Sequence, residues 1–229
     1  MAINIFDVNP EGVSKRQDDY IGSARGGMQL NGRPMSLATW RFTTGDRAVA
    51  DTIARAYGGV VEEWETTTDE KLQVITDVDS VDIILEKVVT SMVLWGKKGK
   101  IRECDGIVQK ADEAGACAGC VCPSALPDKK KAAKLGTGCE PSVGVFFRLD
   151  HPDLVDEGVF KMWSGGWTWA KDVQDVERKH DDLGGVPVHA KLMKRKVEFT
   201  AGDGTEVKYV TPDIRIGTAV EGASIEEPF

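Results

Sequence analysis

The stretch WRFTTGDRAVADTIARAYGGV, residues 40–60, passes through strand, helix and strand and sets the fold class. Trp40, Phe42 and Thr44 alternate with their neighbours as in a half-buried strand. Gly45-Asp46 then opens a segment in which Val49, Ala50, Ile53, Ala54 and Tyr57 recur at helical spacing. Asp46 is placed to cap the helix, because its carboxylate can accept backbone N–H groups that the first turn leaves unpaired. Gly58 terminates it, because glycine enters the left-handed region without a Cβ penalty. Val60, Glu62 and Trp64 resume period two.

The same logic extends outward. Leu72, Val74 and Thr76 alternate, and the apolar runs from Val81 to Leu85 and Val88 to Trp95 read as further strands. After residue 141, Val143, Val145 and Phe147 alternate, and residues 159–163 form another strand. Residues 166–180 read as a helix through Trp169, Val173, Val176 and His180, closed by Gly184-Gly185. Val188 to Phe199 and Thr205 to Val210 flank Ala201-Gly202-Asp203-Gly204, a hairpin signal. Trp163 to Val188 therefore repeats the strand, helix, Gly-Gly, strand order of Trp40 to Val60, although helix-stop and strand preferences can produce such an echo by chance. The expected fold is α+β, with two β-α-β-type halves, antiparallel sheets, and a cysteine loop between the halves. The expected domain plan is an irregular N-terminal arm over residues 1–36, an α+β domain over 37–212 with a cysteine-bearing insertion at 97–141, and a C-terminal tail at 213–229.

All five cysteines fall in that insertion, as Cys104-x12-Cys117-x2-Cys120-x-Cys122-x16-Cys139. Thiolates this close in sequence can converge on one ion without a long loop to close, and a loop this long needs something to order it. The first residues carry neither the basic start nor the apolar run of a secretory leader, so the expectation is a cytoplasmic chain with reduced thiols. Disulfides fit poorly with an odd count and a Cys-x-Cys step, and a redox or catalytic thiol is the other competing reading. Spacing alone favours Cys117 and Cys120 as a zinc-knuckle pair. A site made of four thiolates is closed to water and reads as structural zinc rather than catalytic zinc.

With 41% hydrophobic and 29% charged residues the chain reads as globular, and no stretch approaches the ~20 apolar residues of a membrane span. Its formal charge of −8 argues against autonomous binding to duplex DNA, which is normally held on a basic face. Local basic groups do occur, at Lys97 to Arg102, at Lys129 to Lys131 and at Lys191 to Lys196. The first two could balance the negative charge of a thiolate site, and the third is the face that a nucleic-acid-binding reading would need. There is no phosphate loop, nucleophile elbow, dinucleotide fingerprint or His-Glu-x-x-His helix. A zinc deaminase also fails, because no His-x-Glu precedes the cysteines and Pro123 follows them. His151, His180 and His189 read as structural or solvated. Trp163, Trp167 and Trp169 lie within seven residues, either as core or as an anchor for a protein partner.

Arg102-Glu103-Cys104-Asp105-Gly106, Gly119-Cys120-Val121-Cys122-Pro123 and Gly138-Cys139-Glu140-Pro141-Ser142 carry a resemblance, continued by Trp40 to Asp46, Gly58-Gly59-Val60, Trp64 and Leu72-Gln73-Val74. In these motifs the chain resembles the recombination directionality factor-like family of actinobacterial phages and prophages. The resemblance implies a non-enzymatic accessory protein that binds a large serine integrase, through the integrase's coiled-coil arm, and switches it from integration to excision. DNA would be engaged only through the integrase complex, in the bacterial cytoplasm, with no membrane. It also implies a structural Zn2+ held by Cys104, Cys120, Cys122 and Cys139, with Cys117 the spare. The alternative is a zinc-containing nucleic-acid-binding phage regulator.

Overall fold

The computed structural model describes residues 20–30, 32–109, 119, 121–200, 202 and 204–222. Among them the elements run β1 Tyr20–Leu30, β2 Arg33–Thr44, α1 Arg47–Tyr57, β3 Val61–Glu63, β4 Leu72–Ile75, β5 Ser80–Gly96 and β6 Gly99–Cys104. They continue with α2 Leu126–Lys134, β7 Glu140–Leu149, β8 Val159–Ser164, α3 Trp167–Asp182, β9 Val188–Thr200 and β10 Glu206–Ala219. The class is α+β, dominated by sheet.

The strand-helix-strand reading of residues 40–60 holds in detail. Asp46 accepts from the backbone N–H groups of Ala48 and Val49, and the chain leaves α1 through Gly58 and Gly59 at φ 77° and 88°. Gly59 is required twice over, since a Cβ there would lie 2.1 Å from the Ile75 carbonyl oxygen. The echo at residues 163–188 holds as well, with Gly184 and Gly185 at φ 88° and 66° behind α3.

Instead of two halves with separate sheets, all strands join one ten-stranded sheet in the order β10-β9-β5-β7-β8-β1-β2-β4-β3, with β6 on β5. The halves are joined twice: β5 of the first lies between β7 and β9 of the second, and β1 pairs antiparallel with β2 and parallel with β8. Residues 20–30 and 33–36, expected to be irregular arm, are therefore strand, and β1 lies between two neighbours. Its Gly-rich sequence hid this. A Cβ at Gly22 would stand 2.3 Å from the Thr43 carbonyl oxygen, and one at Gly27 2.4 Å from that of Met35, so glycine is present for close approach rather than for freedom. The expected tail also begins too early, because β10 continues to Ala219 and pairs with β9. Residues 1–19 and 223–229 lie outside the described residues. The two apolar runs at 81–95 form the single strand β5, irregular between Leu85 and Lys87. Inside the cysteine insertion the sequence reading missed β6 and α2. Helix α2 buries no residue and so has no apolar stripe to detect.

The core lies on one face of the sheet. Trp40, Phe42, Val145, Phe147, Phe160 and Met162 meet Val49, Ala50 and Ile53 of α1 and Trp169 and Val173 of α3 there. Full burial of each Val, Ile, Phe or Met side chain there contributes about 1.5–3 kcal/mol. β5 is the hub of the sheet: β7 takes one edge, while β9 and β6 share the other, at residues 80–85 and 92–96 respectively.

Candidate metal centre and the open face of the sheet

Register brings two of the sequence-predicted ligands to the same place from either side of β5. Cys104 ends β6 opposite Met92, and Pro141 faces Met92 from β7, two residues after Cys139. Cys104 and Cys139 are both buried, and Cys122 is partly buried. Arg102 reaches across: Nε donates to Cys139 Sγ at 3.4 Å and Nη2 to Cys122 Sγ at 3.4 Å. The Cys139 backbone N–H also donates to Cys122 Sγ, at 3.3 Å. Burial pushes the Cys139 thiol up, against the pull of the Arg102 guanidinium, while the hydrogen bond to Cys139 raises Arg102 in return. Cys122 Sγ takes a guanidinium N–H and a backbone N–H, and Cys139 Sγ a guanidinium N–H, donors of the kind that stabilise thiolates and that at Cys139 oppose its burial; in that respect the donor set fits a soft ion. Among the described residues, no group of three or more Cys, His, Asp and Glu is gathered closely enough to hold a metal. Cys117 and Cys120 lie outside those residues.

The motif residues around the cysteines have local work to do. Asp105 Oδ1 accepts from the backbone N–H groups of Ile107 and Val108, both at 2.7 Å, which closes a turn over Gly106 at φ 99° and holds the Asp105 carboxyl below the usual range. Lys129 of α2 donates to the Gly106 carbonyl oxygen at 3.3 Å, tying the helix to that turn. Past α2, Thr137 and Gly138 donate to the Ala132 carbonyl oxygen and deliver Cys139 to β7. Of the basic residues expected to balance the site, Arg102 touches sulfur, whereas Lys100 pairs with Glu103 and Lys130 lies over the Trp167 ring at 5.9 Å.

The three clustered tryptophans divide their roles. Trp169 is core. Trp167 faces Lys130, and Trp163 is 52% exposed, its ring over Gly144 and edge-on to Phe146. Trp163 belongs to the sheet face opposite the core, where a second, polar cluster was not anticipated from sequence. Arg25 and Arg41 are cross-strand partners on β1 and β2, as Gln73 of β4 and Thr43 of β2 are. Glu70 accepts from Ser23 at 2.7 Å, from Thr43 at 2.5 Å and from Arg25 at 3.0 Å. Burial works to raise its carboxyl, but these donors outweigh that and hold it below the usual range. Trp64, fixed by its Nε1 donating to the Glu70 carbonyl oxygen at 2.6 Å, has the Arg41 guanidinium 4.2 Å and the Arg25 guanidinium 5.2 Å from its ring centre. The signal in the sequence was alternation itself: the polar residues between Trp40, Phe42 and Thr44 had to face somewhere.

The Lys191 to Lys196 stretch is not a free basic face. Lys191 pairs with Asp82 at 2.5 Å and Arg195 with Asp172. Lys194 turns inward, 4.2 Å from the Trp40 ring centre, and donates to the Gly26 carbonyl oxygen at 2.9 Å. Burial lowers its ammonium to about 8. Of the histidines, His180 is buried on α3, His151 meets Tyr57 edge-on, and His189 Nδ1 lies 2.8 Å from Asp150. No helix among the described residues is long and apolar enough to cross a membrane.

A family model described as Gp3-like, recombination directionality factor-like, matches residues 14–216. No solved structure matches the chain.

Proposed function

The chain belongs to the recombination directionality factor-like family, and on that premise we propose that it binds a large serine integrase and switches the enzyme from integration to excision. The observation that carries this reading is the family match itself, which runs from before β1 into β10 and so takes in the whole sheet core, the helices and the cysteines. The factor performs no bond chemistry. It acts in the bacterial cytoplasm by binding one arrangement of the recombinase on its DNA more tightly than another, with the integrase's coiled-coil arm as the docking site. Differential affinity is the only source of the switch: reversing a 1:99 preference takes about 5.5 kcal/mol, or roughly 10⁴-fold.

In this reading Cys104, Cys120, Cys122 and Cys139 hold a structural zinc ion, supported by the Cys122 and Cys139 sulfurs sharing Arg102. Bound zinc would cross-link the 97–141 insertion to the sheet. The ion pairs of Lys191 and Arg195 support contact with DNA only through the integrase complex. The test is recombination in vitro with the large serine integrase of the same genome, on integration and excision site pairs, with and without this protein. Addition should permit excision and suppress integration. No change in either reaction, or tight salt-sensitive binding of attachment-site DNA by this protein alone, would refute the reading.

A further inference from the structure

The face of the sheet opposite the core carries a cleft of about 1380 Å³, with Arg25, Arg41, Trp64, Lys161 and Trp163 in its lining. A second groove, between Val93, Trp95 and Pro141, meets it at Trp163. On the cleft floor the two arginines are not equivalent. Arg25 has a carboxylate partner in Glu70, whose two oxygens are taken up by Arg25, Thr43 and Ser23. Arg41 is only 5% exposed, and its contacts among the described residues are Gln73, which accepts from Nε at 2.7 Å, and the Trp64 ring. Neither contact is anionic. A guanidinium presents five donors in a planar fork, so Arg41 retains capacity for an oxyanion while its neighbours already fix its plane. Burial and Arg25 both work against its charge, a cost that an incoming anion would offset.

Charge decides what kind of anion-bearing ligand this is. The cleft lining sets Arg25, Arg41 and Lys161 against Glu65 and Glu70, three positive charges to two negative, so on a chain of net −8 it is a small positive island. A polyanion such as DNA extends past the island into like charge, whereas a single carboxylate can use the island alone. Large apolar side chains stand exposed in the lining beside polar ones: Trp163 is 52% and Met35 40% exposed. Arginine and tryptophan beside each other in a concave site are the residues that dominate protein interfaces.

We propose that this cleft is the seat for the recombinase, and that it takes a segment carrying one Asp or Glu side chain on Arg41 with flanking apolar residues covering Trp163. The proposal rests on the integrase reading above and adds the surface and the anchoring chemistry. The seat gives register as well as attraction, because an acidic segment is repelled over the rest of the molecule and accepted only here.

The test is the dissociation constant of the purified protein for the large serine integrase of the same genome, by calorimetry, for wild type, Arg41→Gln, Lys161→Glu, Trp163→Ala and the exposed control Leu183→Ala, at the end of α3 and outside the cleft lining. Thermal melting checks that each variant folds. Arg41→Gln should weaken binding by about 30-fold or more, Lys161→Glu and Trp163→Ala by about 10-fold each, and Leu183→Ala not at all. Lys161→Glu and Trp163→Ala leave the Arg41 and Glu70 contacts in place and keep the test decisive if Arg41→Gln does not fold. Wild-type binding undiminished in these two variants overturns this inference and leaves the integrase reading standing. Failure of wild type to bind integrase at all overturns both. Short duplex DNA that binds wild type and is lost in Lys161→Glu would reassign the seat to phosphate and overturn the carboxylate.

Discussion

Glu70 organises the polar cluster on the open face, so Glu70→Ala is the most exacting single perturbation of that half of the sheet. The substitution leaves Thr43, which is fully buried, and Ser23, 7% exposed, without their carboxylate acceptor, and deprives Arg25 of its counter-ion. A hydrogen bond to a charged group is worth about 1.5–3 kcal/mol. The Arg25 arm is discounted, because its side chain is 35% exposed and solvent screens it. Two buried donors and a weakened ion pair, not additive within one network, suggest a loss of about 3 kcal/mol. For a chain of this size that corresponds to a fall in Tm of about 6–12 °C. pH separates this account from simple loss of packing. The folded-state carboxyl lies below its usual value, so its contribution is fully present above the unfolded pKa and is lost as pH falls through the folded one. The stability difference between wild type and Glu70→Gln should therefore be largest near neutrality and shrink in acid, well below pH 4.5. Urea unfolding at a series of pH values measures it. A constant difference, or a Glu70→Ala protein as stable as wild type at pH 7, would refute the role given to Glu70.

Two further predictions concern the cysteines and Lys194. Purified protein should contain zinc at one ion per chain by elemental analysis, Cys122→Ser should lose it and Cys117→Ser should retain it, and the opposite pattern would displace the ligand set of Cys104, Cys120, Cys122 and Cys139. Lys194, lowered by burial to about 8, binds fewer protons folded than unfolded between there and its ordinary 10.5. Wild-type stability should accordingly rise with pH across that window relative to Lys194→Met, as read by denaturant midpoints, and parallel curves for the two proteins would show that the ammonium is not desolvated.

Local signals carried α1 and α3 and their ends. Asp46, Gly58-Gly59 and Gly184-Gly185 were legible because capping and left-handed turns depend on one or two adjacent residues. The family was legible for a similar reason, since its motifs combine sulfur with turn residues such as Asp105 and Gly106, whose work is local. Strand β1 was not legible. Its glycines lack an alternating apolar face, and they serve approach to Thr43 and Met35, contacts that only pairing creates. Helix α2 was missed because it buries nothing, and the extent of β10 because its partner lies on β9 rather than in its own composition.

From sequence alone the chain was determined to be an acidic α+β protein with strand-helix-Gly-Gly-strand units at 40–60 and 163–188, a clustered set of thiols, and a family resemblance, all properties of neighbouring residues. Tertiary structure decided the rest. Pairing of β5 with β7 and β9, and parallel pairing of β1 with β8, merge the expected halves into one sheet; Lys194 of β9 reaches the Gly26 carbonyl oxygen of β1, and Arg25, Arg41, Trp64 and Trp163 line one cleft. Those residues are up to 138 positions apart, from Arg25 to Trp163. Only strand register brings them together, and register is set by long-range pairing that no local pattern encodes.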